Sequence, residues 1–376
     1  MIVDRDEVRR RRFGLGATAR GRPCTHQLGA TGRSGCLCAS MGWTGAPRNQ
    51  LFTTDTRQGA TVRWRYSSDV ARATAVLPVT RPFRLDLTVW ALRRRAKNAV
   101  DRWDDGRYSR VIVADGGPVR LTVIQATAGF GPTLTVTLES ATRISARAAH
   151  DAGLRVQQML GLAVDLQPFY QRARDDVVIG PLVERFCGVR PPRFPTVFEG
   201  LVNSIACQQV TLDLGIVLLN RLSERFGAPM VTQGAVQHAF PTPADLADAP
   251  EEAIRELGFS RQKTRAIQEL STQVADTTVD LARLEGLNNT EAVADLSRIR
   301  GIGRWSAEYV LLRGLGRLDT FPGDDVGAQN NLQRLFHLAD KPTYDQIRQL
   351  TSPWHPYEGL VYFHLLLDKL RANGTL

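Results

Sequence analysis

The sequence predicts an α+β protein: a small amino-terminal domain built on an antiparallel sheet, then an all-helical bundle, with a disordered basic extension in front. Three observations predict it. The first 74 residues mix Gly, Arg, Ser and Thr with little hydrophobic periodicity. Residues 109–140 alternate apolar and polar side chains around glycine-rich turns. Beyond about residue 168, apolar residues recur at helical spacing and capping residues punctuate the chain. With 376 residues there is room for two or three such units, since domains commonly run to about 100–200 residues.

Residues 1–74 open with "MIVDRDEVRRRRFG" and continue as "GLGATARGRPCTHQLGATGRSGC". Such composition buries too little apolar surface to offset chain entropy. Up to residue 75 there are thirteen Arg against five Asp and Glu, which accounts for +8 of the chain's formal +10. The folded remainder is therefore close to neutral, and any affinity for nucleic acid has to come from a local patch. The extension reads either as a loose phosphate-holding tail or as a dispensable leader.

Residues 75–168 form the α+β unit. "AVLPVTRPFRLDLTVWALRR" reads as strand then helix, and "SRVIVADGGPVRLTVIQATAGFGPTLTVTLES" reads as a meander with turns at Gly-Gly-Pro and Gly-Phe-Gly-Pro. A helix at "SARAAHDAGLRVQQMLGL" closes the unit. Residues 169–376 read as helical throughout, with two helices in "TVFEGLVNSIACQQVTLDLGIVLLNRLSERFG", a Thr-Pro start at "TPADLADAPEEAIRELGF" and a Ser cap on "SRQKTRAIQELSTQVAD".

Composition also excludes several classes. The five cysteines (Cys24, Cys36, Cys38, Cys187 and Cys207) make neither a disulfide framework nor an ordinary zinc pair. No apolar run approaches the roughly 18 residues of a membrane span. The reading is of a soluble cytoplasmic protein with no membrane association.

The most informative stretch is "RIRGIGRWSAEYVLLRGLGRLDTFPGDDVGAQNNLQRLF", residues 298–336. Gly301-Ile302-Gly303 joins two helices by a tight turn; glycines permit φ above zero, and the second helix starts at once with its positive end facing the turn. Backbone N–H groups there suit a phosphate and grip a strand without reading its sequence. Twenty residues past Trp305, Asp324 and Asp325 follow a Phe-Pro-Gly turn. Either aspartate could cap the next helix; one could also point back at the hairpin.

This segment resembles the helix-hairpin-helix, Gly/Pro-rich loop and aspartate (HhH-GPD) motif of the DNA glycosylase superfamily, and most of all its 3-methyladenine-DNA glycosylase II branch. Supporting matches are "VNSIACQQVT", similar to the helix that ends in a DNA-probing loop, "ELGFSRQKTRAIQELS", "SPWHPYEGLVYFHLL" and, in the α+β unit, "ALRRRAKNAVDRWDDGRYSRVI". The resemblance spans roughly residues 75–372. It implies a monofunctional enzyme that flips alkylated, cationic purines such as 3-methyladenine out of damaged double-stranded DNA and hydrolyses the N-glycosidic bond, beginning base excision repair.

By the same resemblance Asp325 is the catalytic carboxylate that stabilises the oxocarbenium-like sugar, while Asp324 supports the loop. Relatives that cleave the strand carry a Schiff-base lysine where this chain has Trp305, and no lysine lies between Lys263 and Lys341. No Cys follows Cys207, so the iron-sulfur cluster of other relatives is not expected. Trp305 and Tyr309, four residues apart on one helix face, are expected to line the base pocket, with Trp354, Tyr357 and Phe363 as further candidates; electron-rich faces attract a cationic base.

DNA contacts are expected at Gly301, Ile302, Gly303, Arg304, Gln208 and Gln209. The branch has an apolar wedge after the first Gln, whereas here Gln209 stands there, which opens deaminated or oxidised bases as alternative substrates. A non-catalytic DNA-binding or damage-sensing protein is the remaining alternative. No cofactor is expected beyond a Na+ or K+ ion on the backbone carbonyls of Ser297, Ile299 and Ile302. A monomer acting on DNA at the nucleoid completes the reading.

Overall fold

A computed structural model of the chain describes residues 51–54, 62–67, 71–126, 132–232 and 234–376. A seven-stranded antiparallel sheet comes first in the chain. Its strands are β1 (Leu51–Thr54), β2 (Val62–Tyr66), β3 (Arg72–Pro78), β4 (Arg102–Asp104), β5 (Arg107–Ala114), β6 (Gly117–Ala126) and β7 (Thr133–Glu139). The order across the sheet is β1-β2-β3-β7-β6-β5-β4. Asp105-Gly106, with φ of 44° and 71°, turns β4 into β5, and Asp115-Gly116, with φ of 50° and 78°, turns β5 into β6. Two consecutive positive φ values match the twist of a hairpin, and Asp-Gly is the pair that tolerates them. Register follows, with Val111 opposite Arg120 and Ile112 opposite Val119.

The sheet begins earlier than the sequence suggests. Residues 62–66 and 72–74, read as part of a disordered 1–74, lie in strands, and Val62 and Trp64 are buried in the core. "VRWRY" looked like basic tail because its arginines occupy the solvent face of a strand whose other face packs. Trp64 is 1% exposed and lies against Gly153, where an added Cβ would meet its ring at 3.1 Å. The expectation for residues 1–50, 55–61 and 68–70 falls outside the described residues.

Helix α1 (Leu85–Arg93) crosses from β3 to β4, and α2 (Ala146–Met159), capped by Ser145, covers the sheet's buried face. Next come α3 (Gln167–Arg174), α4 (Gly180–Arg185), α5 (Val197–Cys207) and α6 (Leu212–Phe226). A second correction follows. Between α6 and α7 (Pro243–Ala247) the chain makes a two-stranded ribbon, β8 (Pro229–Thr232) with β9 (Ala235–His238), where only helix was expected. Met230 faces the core while its neighbour Val231 is exposed, the period-2 pattern of a half-buried strand.

The remaining helices are α8 (Glu251–Glu256), α9 (Arg261–Ala275), α10 (Asn289–Leu296), α11 (Arg304–Val310), α12 (Val326–Leu335), α13 (Tyr344–Thr351) and α14 (Glu358–Ala372). They divide between two apolar cores. In one, α5, α6, α9, α10 and α11 meet through Ile205, Leu219, Ile267, Leu296 and Val310. In the other, α3, α12 and α14 meet α1 through Phe169, Leu332, Leu365 and Leu87. Helix α11 and the Asp324–Asp325 loop stand where these two groups face each other. No helix among the described residues is long and apolar enough to cross a membrane.

Candidate functional site

Helix α10 starts in an Asn288–Glu291 capping box and ends at Ser297, and the chain turns at Gly301. Gly301 has φ +79°, and a Cβ there would sit 2.9 Å from the Ala266 methyl carbon; glycine is required on both counts. Ile302 is buried as the hairpin's anchor, and its N–H donates to the Ile299 carbonyl at 3.1 Å. Gly303 differs from the expectation of two positive-φ glycines. Its φ is −96° and ψ −178°, extended backbone, and a Cβ would meet nothing within 4 Å. Gly303 caps α11 without a side chain, so the helix's first N–H groups receive no side-chain acceptor and open onto exposed surface.

The loop after α5 is bolted to this hairpin. Gln208 donates through Nε2 to the Gly301 carbonyl at 2.7 Å and to Ser306 Oγ at 2.9 Å. Lys263, from the first turn of α9, donates to the carbonyls of Ala206 at 2.9 Å and Gln208 at 2.7 Å. Burial holds the Lys263 ammonium below the usual lysine range. Gln208, expected as a DNA contact, is thus a strut, because its amide is already committed. Gln209 is the exposed tip, held at φ +52°.

Across the cleft, Asp325 is the N-cap of α12. Its Oδ1 accepts from the Ala328 N–H at 2.7 Å, which aims Oδ2 at Trp305 Nε1 and Tyr362 Oη, each at 3.3 Å. The two roles weighed for the aspartates, helix cap and cleft carboxylate, fall on one residue. Asp324 instead takes a two-pronged bond from Arg304, Nε to Oδ2 at 2.7 Å and Nη2 to Oδ1 at 3.1 Å, while the guanidinium lies 3.8 Å from the Tyr344 ring centre. Arg304, expected on DNA, is engaged in holding the loop.

Behind the loop, Glu308 accepts from the Gly323 N–H at 3.2 Å and from the Tyr344 hydroxyl. Burial raises the pKa of the Glu308 carboxyl, and burial followed by the Glu308 hydrogen bond pushes the Tyr344 phenol up to about 12. A Cβ at Gly323 would strike the Tyr344 ring at 2.7 Å.

Asp325, Trp305, Tyr309, Tyr362 and the Gln208–Gln209 loop line one cavity of about 1150 Å³. Trp305 and Tyr309 stack obliquely, ring centres 5.5 Å apart and planes 31° from parallel. Three expected pocket aromatics are not brought here. Trp354 is buried among apolar side chains, stacked on Phe336 and bonded through Nε1 to Asp176. Tyr357 packs on Phe169. Phe363 is fully buried, edge-on to Tyr362. On α14 the aromatic that turns toward the cavity is Tyr362, one position from Phe363; burial and then the charge of Asp325 keep its phenol well above the usual tyrosine range.

Two arginines that sequence reading did not single out stand behind Tyr309. Arg94 follows α1 at φ 62° and donates to Tyr309 Oη at 2.8 Å and Asn203 Oδ1 at 2.7 Å. Arg313 lies in a π-helical turn, Leu311–Leu315, that widens the end of α11; its Nη2 donates to the carbonyls of Ala91 and Leu92. Burial lowers the Arg313 pKa below the ordinary arginine value. Neither carried a local signal: Arg94 is the middle residue of Arg93-Arg94-Arg95, and Arg313 stands alone within "VLLRGLG".

Residues 202–356 match the family model described as HhH-GPD superfamily base excision DNA repair protein. The chain is 30% identical over 218 residues to a DNA-3-methyladenine glycosylase of Bacillus subtilis, an overlap of 56% of this chain and 69% of the relative. It is 28% identical over 292 residues to a putative DNA-3-methyladenine glycosylase of the same organism, covering 76% of this chain and 96% of that one. Among solved structures it is similar to the 3-methyladenine DNA-glycosylase from Archaeoglobus fulgidus, with a TM-score of 0.69 and 25% identity over 78% of this chain and 97% of that one.

Proposed function

This chain belongs to the HhH-GPD superfamily of base excision DNA repair proteins, and from that premise we propose that it is a DNA glycosylase releasing alkylated purines from duplex DNA. The observation that carries the reading is Asp325, whose Oδ2 faces a cavity of about 1150 Å³ from a helix cap that fixes its position. As the base departs, positive charge develops on the sugar, and a prepositioned carboxylate stabilises that charge without reorganising. The bonds from Trp305 and Tyr362 to Oδ2 are long at 3.3 Å and yield readily to a sugar and its attacking water.

An alkylated purine suits such a site because alkylation weakens its glycosidic bond before the protein acts. The nucleotide is flipped into the cavity, the hairpin N–H groups seat a phosphate, and Gln209 fills the gap in the stack. Release proceeds by hydrolysis alone: Trp305 offers no amine, and Lys263 is bound to two carbonyls. Lys369 lines the cavity from α14, so borohydride trapping on abasic DNA is the check, with no covalent adduct expected.

The carbonyls of Ser297, Ile299 and Ile302 are neutral oxygen donors of the kind a hard monovalent cation takes; such an ion adds positive charge beside the phosphate seat, and no step of hydrolysis is assigned to it. The protein is read as a monomer working on DNA in the cytoplasm. Incubation with methylated duplex followed by chromatography of the freed bases tests the proposal. The parent enzyme is expected to free 3-methyladenine, and Asp325→Asn releasing it at the parent rate would remove the basis of the assignment.

A further inference from the structure

Helix α11 shows two adjacent faces. Trp305 and Tyr309 line the cavity, while Arg304 and Glu308, each one position earlier, bond to the aspartate loop. The cap of Asp325 fixes it against α12, but the pocket wall rides on α11, so the loop has to be held against α11 as well. Among the described residues three side chains of α11 tie it to Gly323-Asp324-Asp325: Glu308 to the Gly323 N–H at 3.2 Å, Arg304 to Asp324, and Trp305 to Asp325 at 3.3 Å. They are unequal. The Arg304 and Asp324 side chains are 51% and 33% exposed, and water screens the pair. The Trp305 bond is long. Glu308 is 7% exposed, and a hydrogen bond to a charged group in such surroundings holds hardest.

The two carboxylate oxygens of Glu308 have one donor each, Oε2 the Gly323 N–H and Oε1 the phenol of Tyr344 on α13. From the other side, Gln329 of α12 donates to the Gly323 carbonyl at 3.1 Å. Gly323, two positions before Asp325, is therefore pinned at both of its backbone polar groups. One buried carboxylate joins α11, the loop and α13. A charged carboxylate accepts from both donors, whereas a protonated one turns an oxygen into a donor and leaves one good acceptor for two N–H or O–H groups.

We propose that Glu308 is a positioning residue for base release: its charged carboxylate holds Asp325 in place relative to the wall formed by Trp305 and Tyr309, and losing that charge slackens the loop. This rests on the reading that Asp325 acts on a flipped base. Burial raises the Glu308 pKa, so the brace titrates above the ordinary glutamate value of 4.5. The other charged groups facing it are Arg304 on its own helix, Asp324 on the loop, Asp319 ahead of the loop, Arg348 on α13, and His355 and Glu358 at the entry to α14. All but Asp324 line with Glu308 a cavity of about 480 Å³ behind the loop. An imidazole is the usual source of a pH effect near neutrality, so His355→Gln is the control.

The test follows single-turnover release of 3-methyladenine from methylated duplex across about pH 5 to 8. The parent rate is expected to fall on the acid side as Glu308 is protonated. Glu308→Gln is expected to be about tenfold slower, with affinity for the duplex within about twofold, because the loss is one of placement. Its acid limb above 4.5 disappears. Tyr344→Phe moves the limb to higher pH, since the phenol's bond favours the charged carboxylate, and His355→Gln leaves it where it was. A limb that follows His355, or that survives in Glu308→Gln, overturns the inference. Amide exchange over residues 319–329 reads the loop without turnover and is expected to rise several-fold in Glu308→Gln at fixed pH. Unchanged exchange overturns the inference even where the rate falls. Raised exchange together with a parent protein that frees no base supports the brace and sinks the proposed reaction instead.

Discussion

The two halves of the site are built in opposite ways. The half proposed to grip the strand is backbone: Gly301 turns, Gly303 leaves helix N–H groups open, and Gln208 and Lys263 brace it by binding carbonyls. The half proposed to receive the base is side chains from five segments: Arg94, Asn203, Trp305 with Tyr309, Asp325, and Tyr362. Backbone presents the same groups whatever the sequence of the DNA, so the first half suits sequence-blind holding. On the proposed reading, chemistry and choice of lesion belong to the second half.

That division can be broken by variants that should separate binding from turnover. The largest effect belongs to Asp325→Asn. Base release is expected to fall about 100-fold or more while affinity for lesion-containing duplex changes little; a matching loss of affinity would show that the two halves are not independent. Gly303→Val comes next. No steric or φ penalty attaches to it within the fold, so the melting temperature should hold, while affinity for damaged and undamaged duplex falls alike by about tenfold through lost phosphate hydrogen bonds. A lesion-dependent loss in gel-shift titrations would contradict a purely backbone grip.

Gln208→Ala sharpens the comparison. It removes two hydrogen bonds between the loop and the hairpin, about 1 kcal/mol each, and chemical denaturation should register the loss together with a few-fold weaker hold on DNA. Tyr362→Phe should be smaller, roughly a two- to fivefold change in single-turnover rate, since it withdraws one long bond to Asp325.

The last is a pH effect on stability, away from the site. Burial lowers His364, on α14, to about 4 from its ordinary 6.5. Its folded pKa lies below the unfolded one, so its contribution to stability is complete above about 6.5 and drains away as pH falls toward 4. Thermal melts should fall over that window in the parent and less in His364→Gln.

The hairpin, Asp325 and Trp305 were legible because they sit within one short stretch whose spacing is itself the signal. Tyr362 was not separable from Phe363, since two adjacent aromatics on one helix differ only in which neighbours crowd them. Arg94 was invisible for a different reason: 215 residues separate it from Tyr309, and nothing local distinguishes the middle arginine of "RRR" from its neighbours. Trp354 and Phe363 share composition with pocket aromatics, but a half-buried Asp176 partner and an apolar surround claim them. Strand β2 hid behind its arginines, and the β8–β9 ribbon was too short for its alternation to compete with the helical period on either side.

The Gln208 amide has a consequence for scale. Because it fastens the loop to the Gly301 carbonyl at 2.7 Å, the interval between the proposed phosphate seat and Gln209, proposed to enter the helix stack, is held fixed. The enzyme therefore carries a built-in ruler of fixed length, and an extra unpaired nucleotide beside the lesion would put the target out of step with the cavity that should receive it.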